Sequence, residues 1–328
     1  MRLEPHPPFG VPMVCTMPSQ CPTDGADALR SQRRAANLDA FATGIFSWLV
    51  AVLCALSCSS VRAESTATDI GAPNPKAPLR ICAAANEPPY SMRGGLGYEN
   101  RIAEAVAQAM GRQAAFVWSS GPAMYLVRDQ LEMRACDVIV GLDANDARVL
   151  TTKPYYRAPY VFIQRRDTAL NITSWDSPDI LRAKNIGFVP GTPAQTMLEK
   201  IGIFRDHYNY MHSLSNYQIP KASPVRVPPT RLVADVAEGK AELAVAFAPQ
   251  VARYVKAHAL LEMTVVPDTN VRPDGVKVPH HFDQSIGVRK SDAALLARLD
   301  AALEKVRPQI EEILKQEGIP LLGAAPRS

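Results

Sequence analysis

The stretch from Cys136 to Gln164, with the sequence CDVIVGLDANDARVLTTKPYYRAPYVFIQ, decides the fold that we expect for this chain. It begins with a short apolar run at residues 137–141, continues through a polar turn that carries Arg148, and ends in an extended run at residues 155–163. A short apolar strand that stops at glycine and opens into a polar loop is how parallel α/β sheets present residues to a cleft. The stretch therefore predicts a buried strand, a loop beside a cleft and a second strand.

Strands and helices alternate on both sides of this stretch, which predicts an α/β fold with a parallel sheet and helices on its faces. The predicted strands are residues 79–83, 114–118, 185–189, 243–247, 263–267 and 284–289. The predicted helices begin near Glu99 and at Pro193 and span residues 123–133, 230–238, 249–257 and 293–316. These elements form two α/β lobes joined by two crossings, near residues 160–166 and 282–288. Two lobes around a cleft imply hinge closure around something.

Three segments carry weaker patterns. Residues 205–226 are aromatic and polar with no clear period, so we expect an irregular excursion there. Pro308 should break or kink the last helix near Arg307, because proline lacks the backbone N–H that the helix needs. Residues 268–281 form a predicted long loop, and such loops in compact domains are often functional or disordered, so a docking role for a partner is one interpretation.

The first 63 residues have the order of a secretory leader. Arg33 and Arg34 precede an apolar run at residues 41–56, and Val61-Arg62-Ala63 offers a small-residue cleavage site. We therefore predict a leader at 1–63, a disordered linker at 64–78, lobe 1 at 79–165 and 283–322, and lobe 2 at 166–282. A retained N-terminal anchor is the alternative to cleavage near Ala63 and release into the periplasm.

Composition excludes some classes of function and leaves others weak. The 328 residues carry a net charge of +4 with scattered basic residues, which does not favour nucleic acid as a partner. We find no nucleotide-binding glycine pattern, no CxxC and no cluster of metal-ligating histidines, and the adjacent His280 and His281 would point to opposite faces of a strand. The sequence thus indicates neither a cofactor nor a metal, and it favours a non-catalytic protein.

Two cysteines, Cys82 and Cys136, remain once the leader is removed. An exported protein matures where thiols are oxidised, so an even pair favours a disulfide. Both lie in or at the start of predicted buried strands, and the bridge is possible if those strands are neighbours. Two buried free thiols are the alternative.

Motifs along most of the mature chain resemble the type II periplasmic solute-binding proteins, in the amino-acid-binding branch known as family 3. They include Leu79-Arg80-Ile81, Gly97-Tyr98-Glu99, Lys153-Pro154-Tyr155-Tyr156, Gly191-Thr192 and the run from Ser285 to Arg289. The resemblance runs in the same order from Leu79 to Leu322. It implies a two-lobed periplasmic-binding-protein-like α/β fold of type II with two hinge crossings.

A closer resemblance is to the MoxJ (MxaJ) family of methanol oxidation. It rests on the runs AAANEPPYS from Ala83, GYEN from Gly97, VLTTKPYYR from Val149 and FDQSIGVRK from Phe282. That family is encoded beside the PQQ- and calcium-dependent methanol dehydrogenase and is thought to serve its assembly or activity. The resemblance therefore implies a non-catalytic accessory protein with methanol dehydrogenase as partner. A solute receptor for an ABC permease, binding a small carboxylate or amino-acid-like ligand, is the alternative.

The same resemblance implies a ligand site in the cleft. Arg148 stands where the family's arginine grips a carboxylate, although Asn145 replaces the threonine of that turn, and Phe247 stands where an acid pairs with the ligand's ammonium. Losing such a charge pair costs about 2–5 kcal/mol, and a cation–π contact recovers only about 0.5–2 kcal/mol. An ordinary α-amino acid is therefore disfavoured.

Each site residue also has a simpler interpretation. Arg148 could pair with Asp143 or Asp146 instead of gripping an anion. Gly191 and Thr192, a candidate anion site at a helix start, could merely cap that helix. Tyr90, a candidate cleft-lining ring, could belong to the packed core.

Overall fold

A computed structural model describes residues 77–214 and 227–323 of the chain, all of them in one compact unit that starts at Thr68. The strands are β1 (Leu79–Ala84), β2 (Asn86–Glu87), β3 (Ser91–Met92), β4 (Ala114–Ser119), β5 (Val138–Asp143), β6 (Leu150–Thr151), β7 (Tyr156–Arg165), β8 (Ile186–Phe188), β9 (Leu243–Phe247), β10 (Leu261–Val265) and β11 (His281–Val288). The helices are α1 (Tyr98–Ala109), α2 (Pro193–Lys200), α3 (Phe204–Leu214), α4 (Pro229–Ala237), α5 (Ala248–Lys256) and α6 (Ala293–Glu317).

Two long strands, β7 and β11, carry the chain across the molecule. The strand order is β4-β1-β5-β11-β7-β9-β8, with β10 paired to β7 and β6 to β11. The sheet is parallel within β4-β1-β5 and within β8-β9, as predicted, but β11 and β7 run antiparallel to their neighbours, so the whole sheet is mixed. The predicted α/β class with two crossings is confirmed.

Apolar cores lie on either side of these crossing strands. One contains Phe162, Trp175 and Phe188, and another contains Tyr98, Ile102 and Leu299. Helix α6 packs on α1 and returns the C-terminal end of the chain to the second of these cores, where Arg101 donates hydrogen bonds to Gln316 (2.9 Å) and Glu317 (3.0 Å).

The prediction of an irregular segment at residues 205–226 is wrong for its first part, because Phe204–Leu214 is a helix. Its buried face is His207, Met211 and Leu214, at helical spacing, and the Nδ1 atom of His207 accepts a hydrogen bond from the N–H of Ile186 (3.2 Å). The helical period of apolar residues was not recognised in the sequence because a histidine and a methionine occupy this buried face. The remaining residues of that prediction up to 226 lie outside the described part of the chain.

Pro308 does not break the last helix, which runs unbroken from Ala293 to Glu317. A proline in a helix interior costs about 3 kcal/mol. Pro308 is exposed, while Leu299, Leu303 and Ile310 are buried on the other face and hold both halves of the helix against the core. The predicted helix at residues 123–133 is also altered, since it consists of a 3₁₀ turn (Ala123–Tyr125) followed by a wider turn (Val127–Leu131).

The disulfide predicted between Cys82 and Cys136 is confirmed. Cys82 lies on β1 and Cys136 just before β5, and these two strands are parallel neighbours in the sheet. The Cα atoms are 5.4 Å apart, and both side chains are buried. The bridge ties the start of the opening stretch to the first strand of the fold.

We predict that replacing both cysteines, Cys82→Ala with Cys136→Ala, lowers the free energy of unfolding by about 2–5 kcal/mol, because the unfolded chain regains the freedom that the bridge removes. Urea unfolding followed by circular dichroism measures the change. Wild-type protein unfolded in reducing agent should match the double variant. A midpoint unchanged by either treatment would mean that the bridge contributes nothing.

Asp268 holds the segment after β10 against both crossing strands. Its Oδ1 atom accepts hydrogen bonds from the backbone N–H groups of His280 (2.7 Å) and His281 (3.1 Å). Its Oδ2 atom accepts from Lys277 (2.8 Å) and from Arg157 on β7 (3.3 Å). The segment is therefore irregular but fixed at its base, and its docking role stays a prediction.

A buried aromatic contact fixes the same segment from the other side. The Nε1–H of Trp175 donates to Nε2 of His280 (3.0 Å), so Nδ1 of His280 carries the ring proton and donates to the carbonyl of Val278 (2.9 Å). The second histidine, His281, places its Nε2 atom 2.9 Å from the carbonyl of Val266. Both rings are thus engaged by backbone and core groups.

We predict that Asp268→Asn lowers the free energy of unfolding at pH 7 by about 1.5–3 kcal/mol, the value of hydrogen bonds to a charged group. Burial raises the pKa of Asp268, but the hydrogen bonds from Lys277 and His280 outweigh it, so the pKa lies below its usual value. A lowered folded pKa gives stability that is present above the unfolded pKa of about 3.9 and lost as the pH falls through the folded value.

The gap between wild type and Asp268→Asn should accordingly shrink below about pH 4. Asp274→Asn, in the same segment but with an exposed carboxylate, is the matched control and should change stability little. An equal loss in both variants, or a gap that does not depend on pH, would contradict the role given to Asp268.

The predicted leader, the linker before Ala77 and the cleavage site near Ala63 lie outside the described residues. Among the residues that are described, no helix is both long and apolar enough to cross a bilayer.

Candidate functional site

A cavity of about 350 Å³ lies at the carboxyl ends of β1 and β5, where the opening stretch turns from strand to loop. Its polar lining comes from five elements: Glu87 of β2, Glu99 at the start of α1, Asp143 at the end of β5, Asp146 and Arg148 of the following loop, and Gln284 of β11. The start of α5 adds Phe247 and Gln250 from the opposite side. Strand ends and a helix start converge there, as the α/β pattern predicts.

Glu99 lies against the backbone of Gly141. A Cβ atom added to Gly141 would be 1.8 Å from Oε1 of Glu99, and Gly141 has a positive φ of +82°. Only glycine satisfies both conditions, so β5 provides a glycine at the point where the carboxyl needs room. The residue as a whole is half-buried, with the carboxyl enclosed by protein at its sides and facing the cavity.

The Glu99 carboxyl is kept neutral by its surroundings. Burial raises its pKa to about 8, and repulsion from the Glu87 carboxylate adds to the shift. Among the described residues, none donates a hydrogen bond to this carboxyl. At neutral pH the cavity therefore contains a carboxylic acid that can both donate and accept a hydrogen bond.

Arg148 is paired within its own turn. Its Nε and terminal nitrogens donate to Oδ1 (3.0 Å) and Oδ2 (2.6 Å) of Asp146, and its backbone N–H donates to Oδ1 (2.9 Å). These hydrogen bonds lower the pKa of the Asp146 carboxyl. The guanidinium lines the cavity, but its charge is balanced by a two-pronged contact with a carboxylate.

Gln284 and Phe247 also line the cavity. The amide of Gln284, which is 3% exposed, donates to Asp143 (2.7 Å) and so links β11 to the end of β5. Phe247 ends β9 at the start of α5, and its ring packs 5.4 Å from the ring of Tyr160 and 6.0 Å from that of Phe282. Phe247 therefore gives the cavity an aromatic wall, in addition to the carboxyl groups of Glu87, Glu99, Asp143 and Asp146.

The chain matches the bacterial extracellular solute-binding proteins, family 3, over residues 79–316. It belongs to that family.

Relatives within the family are closer still. A MoxJ protein of Methylorubrum extorquens AM1 is 47% identical over 295 residues, which are 90% of this chain and 98% of the relative. The crystal structure of MxaJ from Methlophaga aminisulfidivorans MPT is 41% identical and covers 74% of this chain and all of that chain (100%), with a TM-score of 0.71. The periplasmic binding protein XoxJ from Methylobacterium extorquens AM1 is 26% identical over 75% of this chain and 100% of that one, with a TM-score of 0.53. This solute-binding protein is a member of the MoxJ family.

The candidate anion-binding residues all form hydrogen bonds within the chain. The N–H of Gly191 donates to Oε1 of Gln195 (2.9 Å), the hydroxyl of Thr192 donates to the carbonyl of Val189 (2.6 Å), and neither residue lines the cavity. Both residues therefore form local hydrogen bonds at the start of α2. Arg148 is likewise engaged by Asp146, one of the two alternatives that the sequence left open.

Of the aromatic residues in these motifs, some line the cavity and others lie in the core. Tyr90 lines the cavity and packs 5.5 Å from the ring of Tyr98. Tyr155 and Tyr156 are buried, and the hydroxyl of Tyr156 lies 3.1 Å from that of Tyr98. Phe247 lines the cavity.

Sequence reasoning gave too little weight to the carboxylates. Glu87 and Glu99 were not among the candidate site residues, and Asp143 was named only as a possible partner for Arg148. The signal that could have found Glu99 is the glycine at position 141, where a strand residue without a side chain faces the first turn of a predicted helix. For metals, no group of three His, Cys, Asp or Glu side chains in the described ranges is placed to hold an ion.

We predict that Gly141→Ala destabilises the protein through two separate terms: backbone strain of about 1–2 kcal/mol at positive φ and overpacking against Glu99 of about 1–3 kcal/mol. Urea unfolding of Gly141→Ala, alone and combined with Glu99→Ala, separates them, because removing the carboxyl relieves only the second.

Gly111→Ala is the matched control, because its φ is +67° and no atom lies within 4 Å of the added Cβ, so it should show the strain alone. The same cost of Gly141→Ala with and without Glu99 would show that the carboxyl does not lie against this glycine.

Proposed function

We propose that this chain is a non-catalytic periplasmic accessory protein of methanol oxidation that acts by contact with PQQ-dependent methanol dehydrogenase, in the assembly or activity of that enzyme. The observation that carries the proposal is the 47% identity to a MoxJ protein over 98% of its length. Export through a leader that is cleaved near Ala63 is part of the proposal, in keeping with the family of extracellular binding proteins to which the chain belongs.

The family and the cavity both support a role in binding, and the proposal includes no catalytic step. The predicted lobes, residues 79–165 with 283–322 and residues 166–282, are on this proposal the two halves of a binding-protein scaffold. The cavity lies on the first of them, and the start of α5 brings Phe247 and Gln250 from the second.

A receptor for an ABC permease is the second candidate, and one observation favours it. The cavity around Arg148 is partly open, has both polar and apolar groups in its lining, and is not filled by side chains. The ligand first expected there fits poorly, because a carboxylate would find Arg148 already bonded to Asp146 and three further carboxyl groups in the lining. An α-amino acid would in addition find Phe247 where its ammonium needs an acid.

A clean deletion in the producing bacterium tests the proposal. We expect methanol dehydrogenase assembly and activity in the periplasmic fraction to fall several-fold in the deletion and to recover when the full chain is restored. A chain restored without residues 1–63 should fail to rescue, because it would not be exported. Crosslinking of the restored protein in whole cells should capture dehydrogenase subunits.

Normal dehydrogenase assembly and activity in the deletion would contradict the proposal. Loss of uptake of a solute, with the dehydrogenase unaffected, would favour the receptor.

A further inference from the structure

We propose that the cavity binds a small organic cation, a primary ammonium on a short apolar chain, with the Glu99 carboxylate as its counter-charge. This ligand class goes beyond contact with a dehydrogenase, and it is opposite in charge to the carboxylate that Arg148 suggests from sequence. Three features of the cavity support it: the balance of charge, the setting of Glu99 and the aromatic wall.

The balance of charge in the cavity favours a cation. Four carboxyl side chains line it, and Arg148 is the one cationic side chain among the described lining residues. Arg148 donates three hydrogen bonds from its guanidinium to the oxygens of Asp146, at 3.0, 3.2 and 2.6 Å. Its other terminal nitrogen donates to the carbonyl of Met124 (3.4 Å), and an anion bound on that edge would still lie in a cavity lined by the carboxyl groups of Asp146, Asp143 and Glu87. The surplus of carboxyl groups favours a cation instead.

Glu99 is the carboxyl group in the described lining that receives no hydrogen bond from the protein. Its carboxyl receives no hydrogen bond from the described residues, faces the cavity and lies in the space that Gly141 leaves. By contrast, Glu87 accepts a hydrogen bond from the N–H of Ala123 (3.0 Å) and Asp143 accepts one from Gln284 (2.7 Å). The carboxyl of this half-buried residue can therefore take a group of a ligand as its partner.

The remainder of the wall suits an organic cation. Phe247 and Tyr90 supply aromatic surface, whose negative ring faces attract ammonium groups, and Ile81, Ala83 and Val140 are apolar. No three His, Cys, Asp or Glu side chains of the described residues converge as a metal ion would need. A short alkyl chain fills the apolar part while the ammonium reaches Glu99.

Binding of a cation must be coupled to the protonation of Glu99. Burial, with Glu87 adding to it, raises the pKa of Glu99 to about 8, so the free protein holds a proton there at pH 7. The phenols of Tyr90, Tyr98, Tyr155 and Tyr156 also lie near it and are kept neutral by burial. The charged side chains of Asp143, Asp146 and Arg148 line the same cavity. A cation favours the ionised carboxylate, so it should expel that proton and bind more tightly as the pH rises through 8.

Four probes, each with an alkyl chain of three or four carbons, test the charge: n-butylammonium, n-butanol, n-butyrate and norvaline, titrated calorimetrically into the purified exported protein. We expect butylammonium to bind most tightly, at millimolar concentration or below, with about 100-fold weaker binding at pH 6 than at pH 9 if only ionised Glu99 accepts it. The probe stays charged over this range, because an alkylamine titrates much as lysine does, near pH 10.4. Titrations at pH 7 in buffers of different ionisation enthalpy should show release of roughly one proton for each cation bound.

Two variants and a control assign the effect to the cavity. Glu99→Gln should weaken butylammonium binding and remove both the pH dependence and the proton release. Glu104→Gln makes the same change in charge on the exposed face of α1 and should alter none of these. Asp146→Asn frees Arg148 and should weaken the cation and strengthen butyrate.

Butyrate or norvaline binding at least as tightly as butylammonium to the wild type would overturn the proposal. So would butylammonium binding without proton release, or no binding of it at millimolar concentration. The wild-type measurements need no variant, so a variant that fails to fold leaves the test intact. None of these outcomes bears on the deletion phenotype, which tests the dehydrogenase role separately.

Discussion

The approach of the Glu99 carboxyl to the backbone of Gly141 is the constraint on which the cavity depends. It fixes the first turn of α1 over the end of β5 and requires glycine in the strand, because an added Cβ would be 1.8 Å from the carboxyl oxygen. It also keeps the carboxyl out of bulk water, which raises its pKa. The same contact that closes the wall of the cavity therefore sets the chemistry of the cavity.

Charge pairing around this contact separates the scaffold from the function of a common amino-acid receptor. Arg148, the candidate ligand arginine, forms an ion pair with Asp146, two residues away in its own loop. Phe247, the residue that the resemblance sets in place of an acid, lines the same cavity with an aromatic ring. The fold of a solute-binding protein is retained, while the candidate arginine is already paired within the chain.

The fold was largely predictable because its signals are local. Apolar runs marked β1 and β5, and the adjacency of these strands allowed the bridge between Cys82 and Cys136. Helix α3 escaped prediction because a histidine and a methionine form its inner face, and Pro308 misled because packing of the buried face of α6 outweighs the loss of one hydrogen bond. Both errors are cases in which tertiary contacts override local preference.

The site was harder to predict because it depends on choices between nearby partners. Asp143 and Asp146 were equal candidates for Arg148, and the structure pairs the arginine with Asp146, while Asp143 accepts from Gln284. The donors of Gly191 and Thr192 are used by Gln195 and Val189, neighbours too close in sequence to stand out as partners. A neutral acid at position 99 depends on burial, which no local pattern shows.

The most direct test is an NMR titration of the Glu99 side-chain carboxyl carbon in the ligand-free protein, with the Glu99→Gln protein used to assign its signal. A cavity built around a neutral, enclosed carboxyl predicts a midpoint near pH 8. A midpoint near about 4.3, the value of an exposed glutamate, would contradict it.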